Sequence, residues 1–467
     1  MRKCLLLVLC IVLLINFISA QNWKKIKQGG EFAIGLKENG AIYSWGFNGN
    51  GQLGLSLTDV THITSEEQIG QLNDWSDVVA GGFHALALKS DGSLWGWGLN
   101  GFNQINDSGD VNIYAPVQVG TDTDWEQIEA CQYSSYAIKN DGSLWVWGNN
   151  ANGELGLGDK ITRDVPTKLG DNGWKSISAG GFITMAIRDD NTLWRWGISI
   201  SYSEEGGFVT GSDLVPVQVN TDTDWRAVSV GLESAVALKE DGTLWVYGVN
   251  TNNQLGVGNI VFSPEFINIG PDQTWEDICS GSFYCFAINS QRQLYGWGNN
   301  QYGQLGATTD NAIAVPTLIY DSNQVSYIDA SKGVVLTNGI FGSSTFILSE
   351  ESGTVCCGGA NYVGQLGIGG ETPEGTREFI CTSTSSVEKE DVTNVSVFPN
   401  PADSYFIINN AENSTVNLYN SLGQLVHNEN IKQNQQTVST VNIPSGAYFL
   451  RIENGDSRTT KKLYISH

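Results

Sequence analysis

A chain of 467 residues is longer than one ordinary hydrophobic core, and its 55 glycines, 15 tryptophans and 16% charged residues suit short strands and tight turns, not helical bundles or disorder. With 25 Lys and Arg against 49 Asp and Glu, the net charge of −24 excludes a nucleic-acid partner, whose phosphates require clustered cations. Eight cysteines in no repeated spacing and four histidines exclude a zinc framework, and no metal or other cofactor is expected.

The first twenty residues read as a removable export signal. Arg2 and Lys3 precede an apolar run over 5–18, and Ile18-Ser19-Ala20 offers a small-residue cleavage site before Gln21. The run falls short of the ~20 residues that cross a bilayer as a helix, and no later segment is apolar enough for an integral membrane span. Removing Arg2 and Lys3 takes the net charge from −24 to −26.

Residues 21–381 are repetitive. An aromatic-Gly step recurs at Trp45, Trp97, Trp147, Trp196, Tyr247 and Trp297, with a degenerate copy at Gly358-Gly359, at spacings of 52, 50, 49, 51, 50 and 61. Sixteen residues before each step stands Gly29, Gly81, Cys131, Gly180, Gly231, Gly281 or Gly342. Before the step come Asn39-Gly40, Asp91-Gly92, Asp141-Gly142, Asp241-Gly242 and Ser352-Gly353. These pairs predict two-residue hairpin turns with both central residues at positive φ. After it comes Asn-Gly-Asn-Gly-Gln-Leu-Gly over 48–54, repeated in part around Leu155, Leu255, Leu305 and Leu366. All fifteen tryptophans occupy repeat positions, which points to packing.

This pattern resembles the repeat of the regulator of chromosome condensation family, from about Trp23 to Cys381. The resemblance implies an all-β fold, a seven-bladed β-propeller. Two units depart from it. The fourth replaces Gly-Gln-Leu-Gly with 199–211, containing Tyr202, Glu204 and Glu205, and the seventh carries about ten extra residues around 321–337. A disulfide among Cys356, Cys357 and Cys381 would fasten the last unit. The nuclear exchange activity known in the family does not transfer to an exported chain, which meets neither its GTPase nor chromatin.

A Ser/Thr and acidic stretch over 382–394 reads as a linker. Alternating short strands over 395–467 predict a small immunoglobulin-like β-sandwich. Pro399-Asn400-Pro401, Leu418 to Gln424, Ile443 to Tyr448 and Lys461-Lys462-Leu463 resemble the C-terminal sorting domain of type IX secretion. That resemblance implies handling by the type IX secretion machinery and a product released or held at the outer cell surface.

Little in the sequence points to chemistry. There is no nucleophile elbow, phosphate loop or His-Glu-x-x-His, and the chain reads as no enzyme. His84 reads as a packing variant at a strand position taken elsewhere by Glu31, Ser134 and Ile183. Thr121-Asp122-Thr123-Asp124 and Thr221-Asp222-Thr223-Asp224 read as solvated Asx turns in preference to a calcium site. The expected function is a secreted or surface binding module recognising an extracellular protein or glycan through its loops, with Phe47, Phe102, Tyr202, Tyr302 and Tyr362 as candidate contacts. The alternatives are a polysaccharide lyase or hydrolase at the propeller mouth and a structural surface component.

Overall fold

The computed structural model describes residues 23–202, 208–307, 311–321, 325–332, 343–349, 354–383, 396–398, 402–409, 414–420, 425–433, 435–454 and 457–466. The export signal, Glu204, Glu205, Ser352-Gly353, Pro399-Asn400-Pro401 and nearly all of the expected linker lie outside them. Two compact units separate, Met1–Thr384 and Ser385–His467.

The first unit holds seven antiparallel four-stranded sheets, each built from one continuous stretch: 23–68, 75–118, 125–168, 174–218, 225–269, 275–320 and 325–383. These are blades 1 to 7 of a propeller. In blade 1 the strands are Trp23–Gln28, Phe32–Lys37, Ile42–Phe47 and His62–Gln68. The second strand is fully buried and the fourth largely exposed, so each sheet grades from core to rim. Outermost strands carry Pro116, Pro166, Pro216, Pro264 and Pro316. Proline removes a donor from a free edge and so blocks pairing with another chain.

The repeat motif joins one blade to the next. In the Asn-x-x-Gly-Gln-Leu-Gly segment, Asn48 Oδ1 accepts the Leu53 N–H (3.1 Å) and Gln52 Oε1 accepts the Asn50 N–H (2.9 Å). The folded loop then presents the Gln52 carbonyl, to which the indole of Trp97 in the next blade donates (3.0 Å). The same indole lies on Gly54, where an added Cβ would meet it at 2.8 Å. Trp196 with Glu154 and Gly156, and Trp297 with Gln254 and Gly256, repeat the contact.

The ring closes through the same contact. Trp45 of blade 1 donates to the Gln365 carbonyl of blade 7 (3.0 Å) and covers Gly367. Among the described residues no strand is exchanged between first and last blades. Near the axis Lys27 pairs with Asp329 (2.7 Å), and the hydroxyls of Tyr327 and Ser331 donate to the Ile26 and Gly29 carbonyls (3.1 and 2.6 Å).

Several expectations are corrected. The Asn/Asp-Gly turns are not two-residue turns with two positive φ values. Gly40, Gly92, Gly142 and Gly242 alone are left-handed, at φ 74° to 82°. The residue before each keeps negative φ, because its carboxylate or amide accepts the N–H two residues on, as in Asn39 to Ala41 (3.0 Å) and Asp91 to Ser93 (2.9 Å). In blade 7 Ser331, not Gly342, holds the repeat register: its N–H donates to the Ser344 carbonyl as that of Gly29 does to Phe32. The extra residues are therefore 333–342, between the first and second strands in sequence; they and Gly342 lie outside the described residues. The counterpart of His84 is Phe32, not Glu31, since they pair with Gly98 and Gly46 respectively.

The Thr-Asp-Thr-Asp segments are counter-ions. Lys139 lies over the Trp125 and Trp145 rings (4.7 and 5.0 Å) and binds Asp122 (2.6 Å) and Asp124 (2.9 Å), and Lys239 repeats this with Asp222 and Asp224. Cys356 and Cys381 form a disulfide between facing positions of the last two strands of blade 7.

The second unit comprises a three-stranded sheet and a four-stranded sheet. Phe406, Ile408 and Val438 of one sheet and Val416, Leu418, Leu450, Ile452 and Leu463 of the other form one buried core. The two layers make a sandwich.

Two outcomes follow. Gly256 has φ +66° and a Cβ there would meet Trp297 at 2.9 Å, whereas Gly258 has φ +72° and open space. Gly258→Ala should cost about 1–2 kcal/mol from backbone strain alone, and Gly256→Ala about 1–3 kcal/mol more from overpacking; urea denaturation separates them. His84 is fully buried, its Nε2 2.9 Å from Ser135 Oγ, and burial lowers its pKa to about 3. The unfolded chain binds this proton below about pH 6.5 and the folded protein only near 3. Stability should therefore fall on acidification across that window, by about 1.4 kcal/mol per pH unit from this group. His84→Phe should flatten the slope in denaturation series at stepped pH.

Candidate functional site

Two sets of connections meet at one end of the ring: the turns from first to second strands and the long loops from third to fourth strands. At the first turn one position recurs with fixed backbone geometry. The carbonyls of Glu31, Phe83, Tyr133, Phe182, Glu233, Phe283 and Ser343 accept the N–H of Phe47, Leu99, Asn149, Ile198, Val249, Asn299 and Ala360. Four of these seven positions are aromatic and two are glutamate. Phe83 is buried; Glu31, Tyr133, Phe182, Glu233 and Phe283 are half-buried. The residues just before them tie neighbouring blades together by backbone bonds, as Gly30 to Gly82 (3.0 Å) and Leu232 to Ser282 (3.2 Å).

The candidates named from sequence border this ring of positions. Phe47 is half-buried at the end of its strand. Phe102 is 40% exposed with its ring 5.2 Å from Tyr133, which stacks on Phe83 (6.0 Å). Tyr302 and Tyr362, from blades 6 and 7, meet edge to face at 6.0 Å. Tyr202 ends the extended third strand of blade 4, where it pairs with Phe208; its side chain lies outside the described residues. The structure thus joins Phe102 to Tyr133 and Tyr302 to Tyr362, in separate groups. The inner positions Tyr133, Phe182 and Phe283 escaped sequence reasoning. Their signal was the residue two after the repeat glycine, aromatic in four units.

In blade 4, strands Leu193–Tyr202 and Phe208–Gln218 extend into a long hairpin on this face. Phe208 (43% exposed) meets Phe262 of blade 5 edge to face at 6.1 Å, beside exposed Ile260 and Val261.

The axis below this face is crossed by an ion pair. Lys332 of blade 7 reaches Glu129 of blade 3 (3.1 Å) and Ser178 of blade 4 (3.3 Å). At the opposite end a cavity of about 630 Å³ is lined by Lys24, Lys25, Asp77, Lys89, Glu126 and Tyr327 among others. Its lysines already have partners: Lys25 pairs with Asp77, Lys24 donates to the Ser76 carbonyl, and Lys89 pairs with Asp74.

Burial pushes the Cys131 thiol up to about 11 and those of Cys285 and Cys357 to about 12, so these thiols stay protonated and non-nucleophilic at neutral pH. Among the described residues no group of three or more His, Cys, Asp or Glu is placed to hold a metal ion.

Comparison with known proteins identifies both units. Residues 39–88, 141–187, 241–288 and 293–336 match a family model described as the regulator of chromosome condensation (RCC1) repeat, and a second model of that description matches 23–52, 75–104 and 275–304. Residues 396–466 match the secretion system C-terminal sorting domain. The chain is similar to the ultraviolet-B receptor UVR8 of Arabidopsis thaliana, 27% identical over 61% of this chain and 54% of that protein. It is 28% identical to the probable E3 ubiquitin-protein ligase HERC4 of Rattus norvegicus over 33% of this chain and 14% of that protein. The chain thus spans about half the length of the plant receptor and far less of the ligase. Human WBSCR16 superposes with a TM-score of 0.59 at 20% identity, over 67% of this chain and 85% of the other. Yeast RCC1 (Prp20), solved bound to Kap60, gives 0.59 at 19% identity, over 68% and 81%. At these identities the two structures show the fold. The chain is a seven-bladed propeller of regulator-of-chromosome-condensation repeats with a secretion-system C-terminal sorting domain, exported by type IX secretion to the cell surface or the extracellular space.

Proposed function

We propose that this exported propeller is a non-catalytic binding module that takes an extracellular protein or glycan on its loop face. One observation carries the reading: a seven-fold position holding Phe83, Tyr133, Phe182 and Phe283, bordered by part-exposed Phe102 and by the Tyr302–Tyr362 pair. Rigid aromatic side chains give much contact area at little entropic cost, and they dominate the energetics of many interfaces. The backbone beneath them is fixed by bonds within and between blades, so little order is lost on binding.

A hydrolytic or lyase site on a polysaccharide needs acid and base groups converging across one bond. The face carboxylates Glu31 and Glu233 stand on blades 1 and 5.

The test compares wild-type protein with Phe102→Ala and with Tyr302→Ala/Tyr362→Ala, each immobilised and exposed to a glycan array and to surface proteins of cells sharing its habitat. Wild type should retain a saturable ligand. A variant at its contact should lose about 2 kcal/mol, roughly thirtyfold in affinity. Equal retention by all three proteins, or turnover of a glycan by wild type, overturns the proposal.

A further inference from the structure

Several lysines elsewhere in the propeller are compensated within the chain. Lys27 has Asp329, Lys332 has Glu129, Lys25 has Asp77, and Lys139 and Lys239 each have two aspartates and a pair of tryptophan rings. Glu31 and Glu233 differ. Each is half-buried at the recurrent turn position, and neither carboxylate has a hydrogen bond or a cation partner among the described residues. Burial alone raises both above the usual carboxylate range.

The neighbours of Glu233 around the ring are both aromatic, and those of Glu31 are Phe83 and Ser343. In the adjoining blades the position of Glu233 is held by half-buried Phe182 and Phe283; at the position of Glu31 blade 2 has buried Phe83, and the Glu31 backbone carbonyl accepts the N–H of half-buried Phe47. A carboxylate part-stripped of water beside aromatic positions is left with a desolvation cost that nothing among the described residues offsets. An incoming ammonium or guanidinium would relieve it twice, by ion pairing with the carboxylate and by lying against ring faces. A neutral glycan would relieve it by hydrogen bonding alone, and an anionic one would be repelled by the net charge of −24.

We infer that the ligand of the loop face is a protein presenting arginine or lysine side chains, which dock at two places, one on Glu31 between blades 1 and 2 and one on Glu233 among blades 4, 5 and 6. This rests on the binding reading above and narrows it from protein or glycan to a basic protein surface. Two sites on separate arcs of the ring favour a partner broad enough to span the axis, with Phe102, Tyr133 and the Tyr302–Tyr362 pair contacting the apolar surface between its basic residues.

The probe is a short peptide of alternating Gly and Arg, with its Gly-Glu counterpart as control, titrated calorimetrically into the full exported chain at physiological salt. The arginine peptide should bind and the glutamate peptide should not. Glu31→Gln/Glu233→Gln should weaken binding at least tenfold, with the thermal midpoint unchanged or raised because a desolvated charge has been removed. Asp171→Asn/Glu240→Gln removes two exposed carboxylates at the other end of the ring and should change affinity less than about twofold. Equal weakening by both double variants would show attraction to net charge only and overturn the inference. So would failure of the arginine peptide to bind while a glycan is retained, an outcome that leaves the binding-module reading standing. No retention of peptide, protein or glycan by the wild type would overturn both.

Discussion

The fold depends on one contact, made in four of the seven blades: a tryptophan seated on the Gly-Gln-Leu-Gly loop, or a close variant of it, in the blade before. A four-stranded sheet of this size cannot bury both faces by itself. The loop supplies what the next blade needs: a glycine without a side chain, against which an indole can lie, and a backbone carbonyl turned toward the indole N–H. Because blade 7 offers that loop to Trp45 of blade 1, the ring closes by the interaction that builds it, with no strand exchanged among the described residues.

The exceptions show what the contact requires. Blade 4 has no such loop, and blade 5 correspondingly has Tyr247 in place of tryptophan, its hydroxyl bound by Arg195 and its ring stacked on Phe266 (5.4 Å). Blade 6 keeps its loop while blade 7 has lost its aromatic step. Phe379, from the outermost strand of blade 7, then fills the space over Gly306, and Thr345 takes the Gln304 carbonyl (2.8 Å). Between blades 2 and 3 Ser135 takes the Gln104 carbonyl (2.6 Å), and the Trp147 indole stays without a partner. What must be satisfied is a filled volume and a bonded carbonyl, and several side chains can do it.

That tolerance marks the boundary of what the sequence disclosed. The tryptophan step and its loop are local and periodic, so the blade number and the all-β class followed from them. Phe379 lies twenty residues beyond the step it replaces, where periodicity has no hold. The turn type was missed because an Asn or Asp before glycine serves two geometries, and only the side-chain bond to the N–H two residues on decides between them. The Thr-Asp-Thr-Asp segments looked solvated because their lysines lie about seventeen residues later, at the end of a strand that folds back over them. Placing His84 opposite Glu31 was an error of one residue, and in a strand one residue separates the core from the face. The reading of His84 as a packing residue held, but the shift hid the ring of aromatic positions beside it.

Blade 7 departs furthest from the repeat, and it concentrates the other means of holding a ring together. It has lost the aromatic step and carries ten extra residues at its first turn. It has the disulfide between Cys356 and Cys381, the cross-axis lysine Lys332 and the Lys27–Asp329 pair to blade 1. A disulfide persists where the surroundings are oxidising, which fits a chain that leaves the cell. A bridge closing a loop of this length contributes about 3 kcal/mol by limiting the unfolded chain, comparable to the packing of one large side chain. The joint between last and first blades alone lacks the connecting peptide that the other six share, and so depends on its side-chain contacts. The Lys27–Asp329 pair fastens that joint, and the disulfide ties together the last two strands of the blade beside it, which helps keep the seven turn positions in fixed relation. A rigid arrangement of Glu31, Glu233 and the aromatic residues between them is what a face needs in order to recognise two separated basic groups on one partner.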